Sequence, residues 1–250
     1  MRVLAIYHIK GGVGKTTTAV NLSYLSSRTQ GRTLVCDLDP QSSATYFFRV
    51  KPKTKGGVTS LVKGGERFDR NIKGTDYENL DLLPADFSYR NLDIALDGGK
   101  HPETRLAEVL ATCREQYKVV FLDCPPTINI VAENVFHAAD EIVVPVVPST
   151  LSVRTFDKLL DFLDKHGYDK HKVLAFHSMV EMRKSLHREI MSRTSRDYAG
   201  MLSNHIPYLS EIEKMAVIRQ PICAFAPFSA AAGAYRRLWG EIRALVFAFE

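Results

Sequence analysis

The stretch from Val3 to Leu25 limits the architecture of this chain more than any other. An apolar run, Val3 to Tyr7, leads into Lys10-Gly11-Gly12-Val13-Gly14-Lys15-Thr16-Thr17, and a helical pattern, Ala19-Val20-Leu22-Ser23-Leu25, follows directly. Strand, glycine-rich turn and helix in that order form the context a phosphate-binding loop requires. Glycines allow the backbone to curl until successive N–H groups point at phosphate oxygens. The following helix adds partial positive charge from its N-terminus. In such a loop, Lys15 is expected to reach the β- and γ-phosphates and the Thr16 hydroxyl to ligate Mg²⁺. Most other positions on that ion stay with water.

The alternation of short apolar runs and helical segments continues along the chain. Runs recur at Thr33 to Cys36, Leu80 to Leu83, Val119 to Leu122, Ile142 to Val147 and Val173 to Phe176. Helical periodicity lies between them, as in Leu106-Val109-Leu110-Cys113 and Phe156-Leu159-Leu160-Leu163. Strand runs that are nearly continuous in hydrophobicity suit a parallel sheet covered on both faces. The expected class is therefore α/β, with a mostly parallel, twisted sheet flanked by helices on both sides. No linker interrupts the pattern, so residues 1–250 are read as one domain.

Composition excludes several other fates. Hydrophobic residues make up 45% and charged residues 24%, an ordinary globular balance. No run approaches the roughly 18–20 apolar residues of a membrane span, and the opening residues lack a signal-peptide cleavage site. Cys36, Cys113, Cys124 and Cys223 are scattered without metal-ligand spacing and read as reduced cytosolic thiols. The net charge of +5 permits an anionic partner without requiring one. Positive charge is concentrated in two places. Arg49 to Lys73 holds eight Lys/Arg against Glu66 and Asp69, and is expected to be largely loop around one short helix near Val58 to Val62. Arg183 to Arg196 carries Arg183, Lys184, Arg188, Arg193 and Arg196 against Glu189 alone. Its period is helical, with Leu186, Ile190 and Thr194 on one face.

The ordinary Walker A pattern places its first glycine where this chain has Ile9. Here Lys10 precedes Gly11-Gly12 instead, giving K-G-G-x-G-K-[ST]. That pattern resembles the deviant Walker A loop of the ParA/MinD family of partition and positioning ATPases. Two further segments strengthen the resemblance. Asp37-Leu38-Asp39-Pro40-Gln41-Ser42-Ser43-Ala44-Thr45 is similar to the family's D-x-D-P-Q-G-N-A switch I, departing at Ser42 and Ser43. Asp123-Cys124-Pro125-Pro126 resembles its D-x-P-P switch II, at the end of a Walker B-like apolar run. On the residues alone, Asp37 and Asp39 could equally open a turn at Asp-Pro. Leu83-Pro84-Ala85, Val144 to Ser149, Ile206-Pro207 and Ala224 to Pro227 carry the similarity along nearly the whole chain.

The resemblance implies a P-loop NTPase fold, ATP and Mg²⁺ as cofactors, and specific roles. Lys10, Gly11, Gly12, Val13, Gly14, Lys15, Thr16 and Thr17 would hold the phosphates, and Thr16, Asp37 and Asp123 the metal, Asp123 through a water. Asp39 would orient the attacking water, making Lys10, Lys15 and Asp39 the catalytic set. Lys10 would cross to a second subunit's nucleotide in an ATP-sandwiched homodimer. Adenine would lie near Ser178 to Val180 and Ile206 to Tyr208, with Pro207 the contact. Cys124 raises the iron–sulfur relative of the family, set aside because no second cysteine has a suitable switch context.

What the dimer holds is less sharply defined. ParA-type relatives bind DNA non-specifically, and Arg183, Lys184, Arg188, Arg193, Arg196 and Arg219 are the candidates here. Several phosphate contacts per dimer suffice for salt-sensitive binding without base readout. MinD-type relatives bind membrane through a C-terminal amphipathic helix. Here Leu238, Ile242, Leu245, Val246 and Phe249 share one helical face, which suits either a membrane or the core. The expected protein is a short ParA type, cytoplasmic and nucleoid-associated, that positions a cargo and is released by a ParB-like adaptor. The alternatives are a MinD-type membrane-surface ATPase and an ATP-dependent metabolic ligase on the same fold.

Overall fold

Seven strands form one sheet in the computed structural model, which describes residues 1–98 and 101–248. They are β1 (Arg2–Ile6), β2 (Thr33–Asp37), β3 (Lys73–Gly74), β4 (Leu80–Leu83), β5 (Val119–Asp123), β6 (Glu141–Val146) and β7 (Val173–His177). Their spatial order is β3-β4-β2-β5-β1-β6-β7, parallel throughout except for the antiparallel β3–β4 pair at one edge. Every apolar run expected to be a strand is one. The two-residue β3 begins at the end of the basic Arg49–Lys73 stretch, where no apolar run announced it.

Alternation along β1 shows why its sequence is apolar on both sides. Val3, Ala5 and Tyr7 enter one core cluster, and Leu4 and Ile6 enter the other. The first cluster is closed by the helices Arg105–Ala111, Ile130–Ala138 and Thr150–Lys165. The second is closed by the helices Lys15–Thr29 and Ala230–Val246. Parallel strands wrapped by crossover helices leave no face open to water, hence the continuous hydrophobicity.

The closing helix packs on the sheet. Leu238, Trp239 and Ile242 are buried on the sheet, with Val246 beside them. Of the face that suited a membrane, Leu238, Ile242 and Val246 serve the core, whereas Leu245 points outward. Phe249 lies outside the described residues. No described helix is long and apolar enough to cross a membrane.

The basic stretches differ in detail from expectation. Arg49 to Lys73 contains two short helices, Gly57–Lys63 and Glu66–Asp69, rather than one. The second stretch forms the helix Ser185–Asp197, so Arg183 and Lys184 precede its first turn. Its buried face is His187, Ile190 and Thr194, whereas Leu186 is 51% exposed. The reason is polar pairing: His187 Nδ1 accepts the Glu181 N–H at 3.1 Å, and Thr194 Oγ1 meets His177 Nε2 at 2.7 Å. Ile190 and Thr194 stay on the expected face, and His187 takes the place of Leu186 beside them.

Candidate active site

β1 and β5 are neighbours, yet the helices that follow them pack on opposite faces of the sheet. Their exit loops diverge and open a crevice at the carboxyl end of the sheet, where open α/β folds bind ligands. Residues 8–14 line one side of it. Gly12 (φ 71°) and Gly14 (φ 95°) take left-handed backbone that a side chain would strain. Gly14 has a second reason to be glycine: a Cβ there would sit 3.1 Å from Ser178 Oγ. Gly11 and Gly12 are exposed and Val13 is buried, so the loop is anchored at Val13 and open to the crevice. Thr17 Oγ1 and Thr18 Oγ1 donate to the Gly14 carbonyl at 3.0 and 2.7 Å, which fixes the helix start.

Lys15 is 8% exposed, and its ammonium donates to the Lys10 carbonyl at 3.2 Å. Burial lowers its pKa, and Asp123, Cys124 and Asp39 pull it back up. The Lys10 N–H donates to His8 Nδ1 at 2.9 Å. His8 is fully buried, and desolvation, with Lys15 and Lys10 nearby, lowers its pKa to about 4. Accepting at Nδ1, the neutral imidazole must carry its proton on Nε2. The Lys10 ammonium itself has no hydrogen bond or ion pair with any described residue.

Asp37 and Asp123 end β2 and β5 in direct register. Both are fully buried. Asp37 is satisfied: Oδ2 accepts from Thr45 N–H at 2.8 Å and Thr45 Oγ1 at 2.7 Å, and Oδ1 from Asp39 N–H at 3.2 Å. Desolvation still raises its pKa to about 6, against those hydrogen bonds. Asp123 is not satisfied. Neither of its oxygens has a hydrogen-bond partner, and the Thr16 hydroxyl approaches without reaching hydrogen-bond geometry. Burial, with Asp37 next to it, holds its pKa well above the carboxylate range. An orphaned buried carboxylate is costly unless something supplies charge or donors. Beside Thr16, it fits an oxygen-ligand cation such as Mg²⁺, which needs few protein ligands and brings its own water. By contrast, the Asp37 oxygens are already engaged in shaping switch I.

Asp39 is half-buried beyond Asp37, with Oδ1 accepting the Gln41 N–H at 2.9 Å. Ser42, where the family pattern has glycine, keeps left-handed backbone (φ 54°) and donates to the Ala85 carbonyl at 3.1 Å. Thr45 was not singled out by any motif, yet its hydroxyl joins Asp37 to the Ala85 N–H, which donates at 3.1 Å. Thr45→Val should cost about 1–3 kcal/mol, because it leaves both buried partners short of a bond. Urea denaturation would show this, and an unchanged midpoint would remove Thr45 from that bridge.

Switch II is tied down as well. Tyr7 Oη donates to the Thr127 carbonyl at 2.6 Å, and the Cys124 thiol is buried with its pKa pushed well up. On the other side, Val180 and Pro207 form an isolated parallel bridge, with the Val180 N–H donating to the Ile206 carbonyl at 3.0 Å. Because Ser178 and Met179 lie against Gly14, this bridge brings Pro207 to the phosphate-loop side of the crevice. Ser178 is the neighbour that glycine spacing could not reveal.

The crevice gathers the phosphate loop, Asp37, Asp39, Asp123 and the Pro207 segment; the basic candidates are elsewhere. Arg183, Lys184, Arg188, Arg193 and Arg196 are exposed beyond β7. Lys184 pairs with Glu181, and Arg188 donates to the Met182 carbonyl at 2.6 Å. Arg219 is half-buried, donates from Nε to the Tyr46 carbonyl at 3.0 Å and stacks 4.3 Å above the Tyr46 ring. Its Nε–H and one face of its guanidinium are thus engaged within the chain.

A family model described as an AAA domain matches residues 1–176. Sporulation initiation inhibitor protein Soj of Bacillus subtilis is 28% identical over 249 residues, covering 97% of this chain and 98% of Soj. Chromosome partitioning protein ParA of Caulobacter vibrioides is 27% identical over 251 residues, covering 97% and 94%. The chain belongs to this family, the ParA/MinD group of P-loop ATPases. Among solved structures, cobyrinic acid a,c-diamide synthase from Mycobacterium smegmatis, with bound ADP and magnesium, superposes with a TM-score of 0.81 at 26% identity. That match covers 98% of this chain and 95% of the other. For a ParA/MinD protein, the crevice at β1 and β5 falls where the P-loop fold places its nucleotide.

Proposed function

We propose that this chain is a Mg²⁺-dependent ATPase of the ParA type. Two subunits sandwich ATP, hold DNA non-specifically over the nucleoid and position a cargo. A ParB-like adaptor then stimulates hydrolysis and releases them. The observation that carries this reading is the contrast between two groups in the crevice. Asp123 is a buried carboxylate that accepts no hydrogen bond, and the Lys10 ammonium has no hydrogen bond or ion pair among the described residues, so one suits a bound cation and the other a phosphate.

Gly11, Gly12, Val13, Gly14, Lys15, Thr16 and Thr17 bind the phosphates of the subunit's own nucleotide, and Lys10 binds those of the partner's. Thr16 and Asp123 hold Mg²⁺, Asp123 through water, while Asp37 shapes switch I behind them. Bound Mg²⁺ supplies charge neutralisation at the β- and γ-phosphates. Asp39 orients the water for in-line attack, and Pro207 borders the base. Lys10 offsets charge on the partner's nucleotide, as an arginine finger does. Only the ATP state offers it that target, so nucleotide binding and association become linked equilibria.

Lys10→Ala should therefore keep ATP binding and lose ATP-dependent dimerisation. Light scattering in Mg·ATP against Mg·ADP reads this directly, and a dimer that persists would contradict the role of Lys10. Charge reversal at Arg188 and Arg193 should weaken DNA binding at least tenfold while dimerisation stays intact. If affinity holds, the DNA surface is not on that helix.

The likeness to cobyrinic acid a,c-diamide synthase favours one second reading, an ATP-dependent ligase with its substrate on the switch II side. Turnover that depends on a small carboxylic acid and is indifferent to DNA would select it.

A further inference from the structure

The Arg49–Lys73 lobe is built, not loose, and its charges converge. An open hollow of about 510 Å³ at the β3 edge is lined by Arg49, Lys51, Lys53, Lys55 and Lys73. A second hollow of about 240 Å³ shares Lys55 and adds Arg67 and Arg70. Two anchors hold the backbone between them. Asp86 accepts the Thr54 N–H at 3.1 Å together with the Thr54 hydroxyl. Buried Asn71 accepts the Lys55 N–H at 2.7 Å, and its amide donates to the Lys55 and Arg67 carbonyls at 3.2 and 2.9 Å. The lysine-bearing strip is thereby fixed with Thr54 turned in and Lys51, Lys53 and Lys55 turned out.

Charge balance inside the lobe is poor. Arg49 pairs with Asp76 at 2.8 Å, and Arg70 with Glu66 at 2.6 Å. The charged groups of Lys51, Lys53, Lys55 and Arg67 meet no carboxylate among the described residues. One lysine on a short edge strand, such as Lys73, is explained by keeping that edge from pairing. Four cations that meet no carboxylate among the described residues, around two hollows that share Lys55, are not. They form a track for anions spaced along a chain. The apolar part of the lining is Phe48, buried, and Val50, half-buried, so an acidic peptide would lack the exposed anchors that carry protein interfaces.

We infer that the Arg49–Lys73 lobe is a second nucleic-acid site, gripping the phosphate backbone at the sheet edge opposite the Ser185–Asp197 helix. This rests on the proposed DNA-binding function and extends it to a separate surface. The recognition is sequence-independent, because lysines at phosphates carry no base information.

The test compares three proteins in Mg·ATP: wild type, Lys51→Gln/Lys53→Gln/Lys55→Gln, and Arg188→Glu/Arg193→Glu. Each is titrated by fluorescence anisotropy with a random-sequence DNA duplex over a range of salt, and separately with poly-L-glutamate. Nucleotide affinity and melting temperature check that the variants remain folded. The lysine variant should bind DNA at least tenfold more weakly. Its salt slope should fall by about 0.9 for each phosphate that the lysines no longer neutralise, thus by about two to three. Wild-type DNA binding with an unchanged lysine variant would overturn this inference alone. Loss of poly-L-glutamate binding with DNA binding kept would also overturn it, in favour of an acidic protein partner. A wild type that binds no DNA at any salt would overturn both this site and the DNA-binding function on which it rests.

Discussion

Lys15→Ala should abolish ATP binding at micromolar protein and nucleotide. Lys15 is 8% exposed at the mouth of the helix Lys15–Thr29, where the phosphates of a nucleotide would meet its ammonium. Removing one partner of a buried charge pair costs about 3–5 kcal/mol, and about 1.4 kcal/mol is tenfold in affinity. A loss of at least a hundredfold is therefore expected. The substitution also removes the cation that offsets Asp123, already pushed up by burial. Thermal unfolding should accompany the measurement so that a nucleotide effect is not confused with a folding one. Isothermal titration with ATP showing unchanged affinity in a folded variant would end the phosphate-loop assignment.

Asp39→Ala has the second largest expected effect and acts on a different step. Asp39 is held by the Gln41 and Ser42 amides, whose N–H groups reach its side chain and its carbonyl at 2.9 and 2.8 Å. It lies beyond the end of β2, so its carboxylate is not needed to pack the strand. Loss of a positioned base typically slows turnover by about 10²–10⁴-fold. ATP binding should survive, because Lys15, Thr16 and the loop amides are untouched. The variant should therefore accumulate as an ATP-loaded dimer, visible by light scattering as a doubled mass that Mg·ADP does not produce. Turnover at the wild-type rate would remove Asp39 from catalysis.

Most of the sheet was legible because parallel strands must be apolar on both faces, which leaves short continuous apolar runs in the sequence. The phosphate loop was legible because glycines, lysine and threonine are demanded by the backbone and the charge of a phosphate. Less visible was whatever depends on partners distant in sequence. Thr45 matters through Asp37 and Ala85, and Ser178 through its approach to Gly14; neither spacing signals its role. The helix Ser185–Asp197 turned His187 rather than Leu186 inward because a polar contact outweighed a hydrophobic period. Arg219 reads as a surface cation, and its contact with the Tyr46 ring and carbonyl has no signal in the spacing. Ser42 shows the opposite case, a motif position that keeps its left-handed backbone without the family's glycine. The hydrogen bond to Ala85 helps to hold a conformation that costs a non-glycine residue about 1–2 kcal/mol.

Cosedimentation of the Asp39→Ala protein with random-sequence DNA and, separately, with anionic liposomes tests the central claim most directly. Mg·ATP should retain the protein on DNA, Mg·ADP should not, and raised salt should release it. Retention on liposomes alone, or on neither surface in the presence of ATP, would contradict a DNA-bound positioning ATPase.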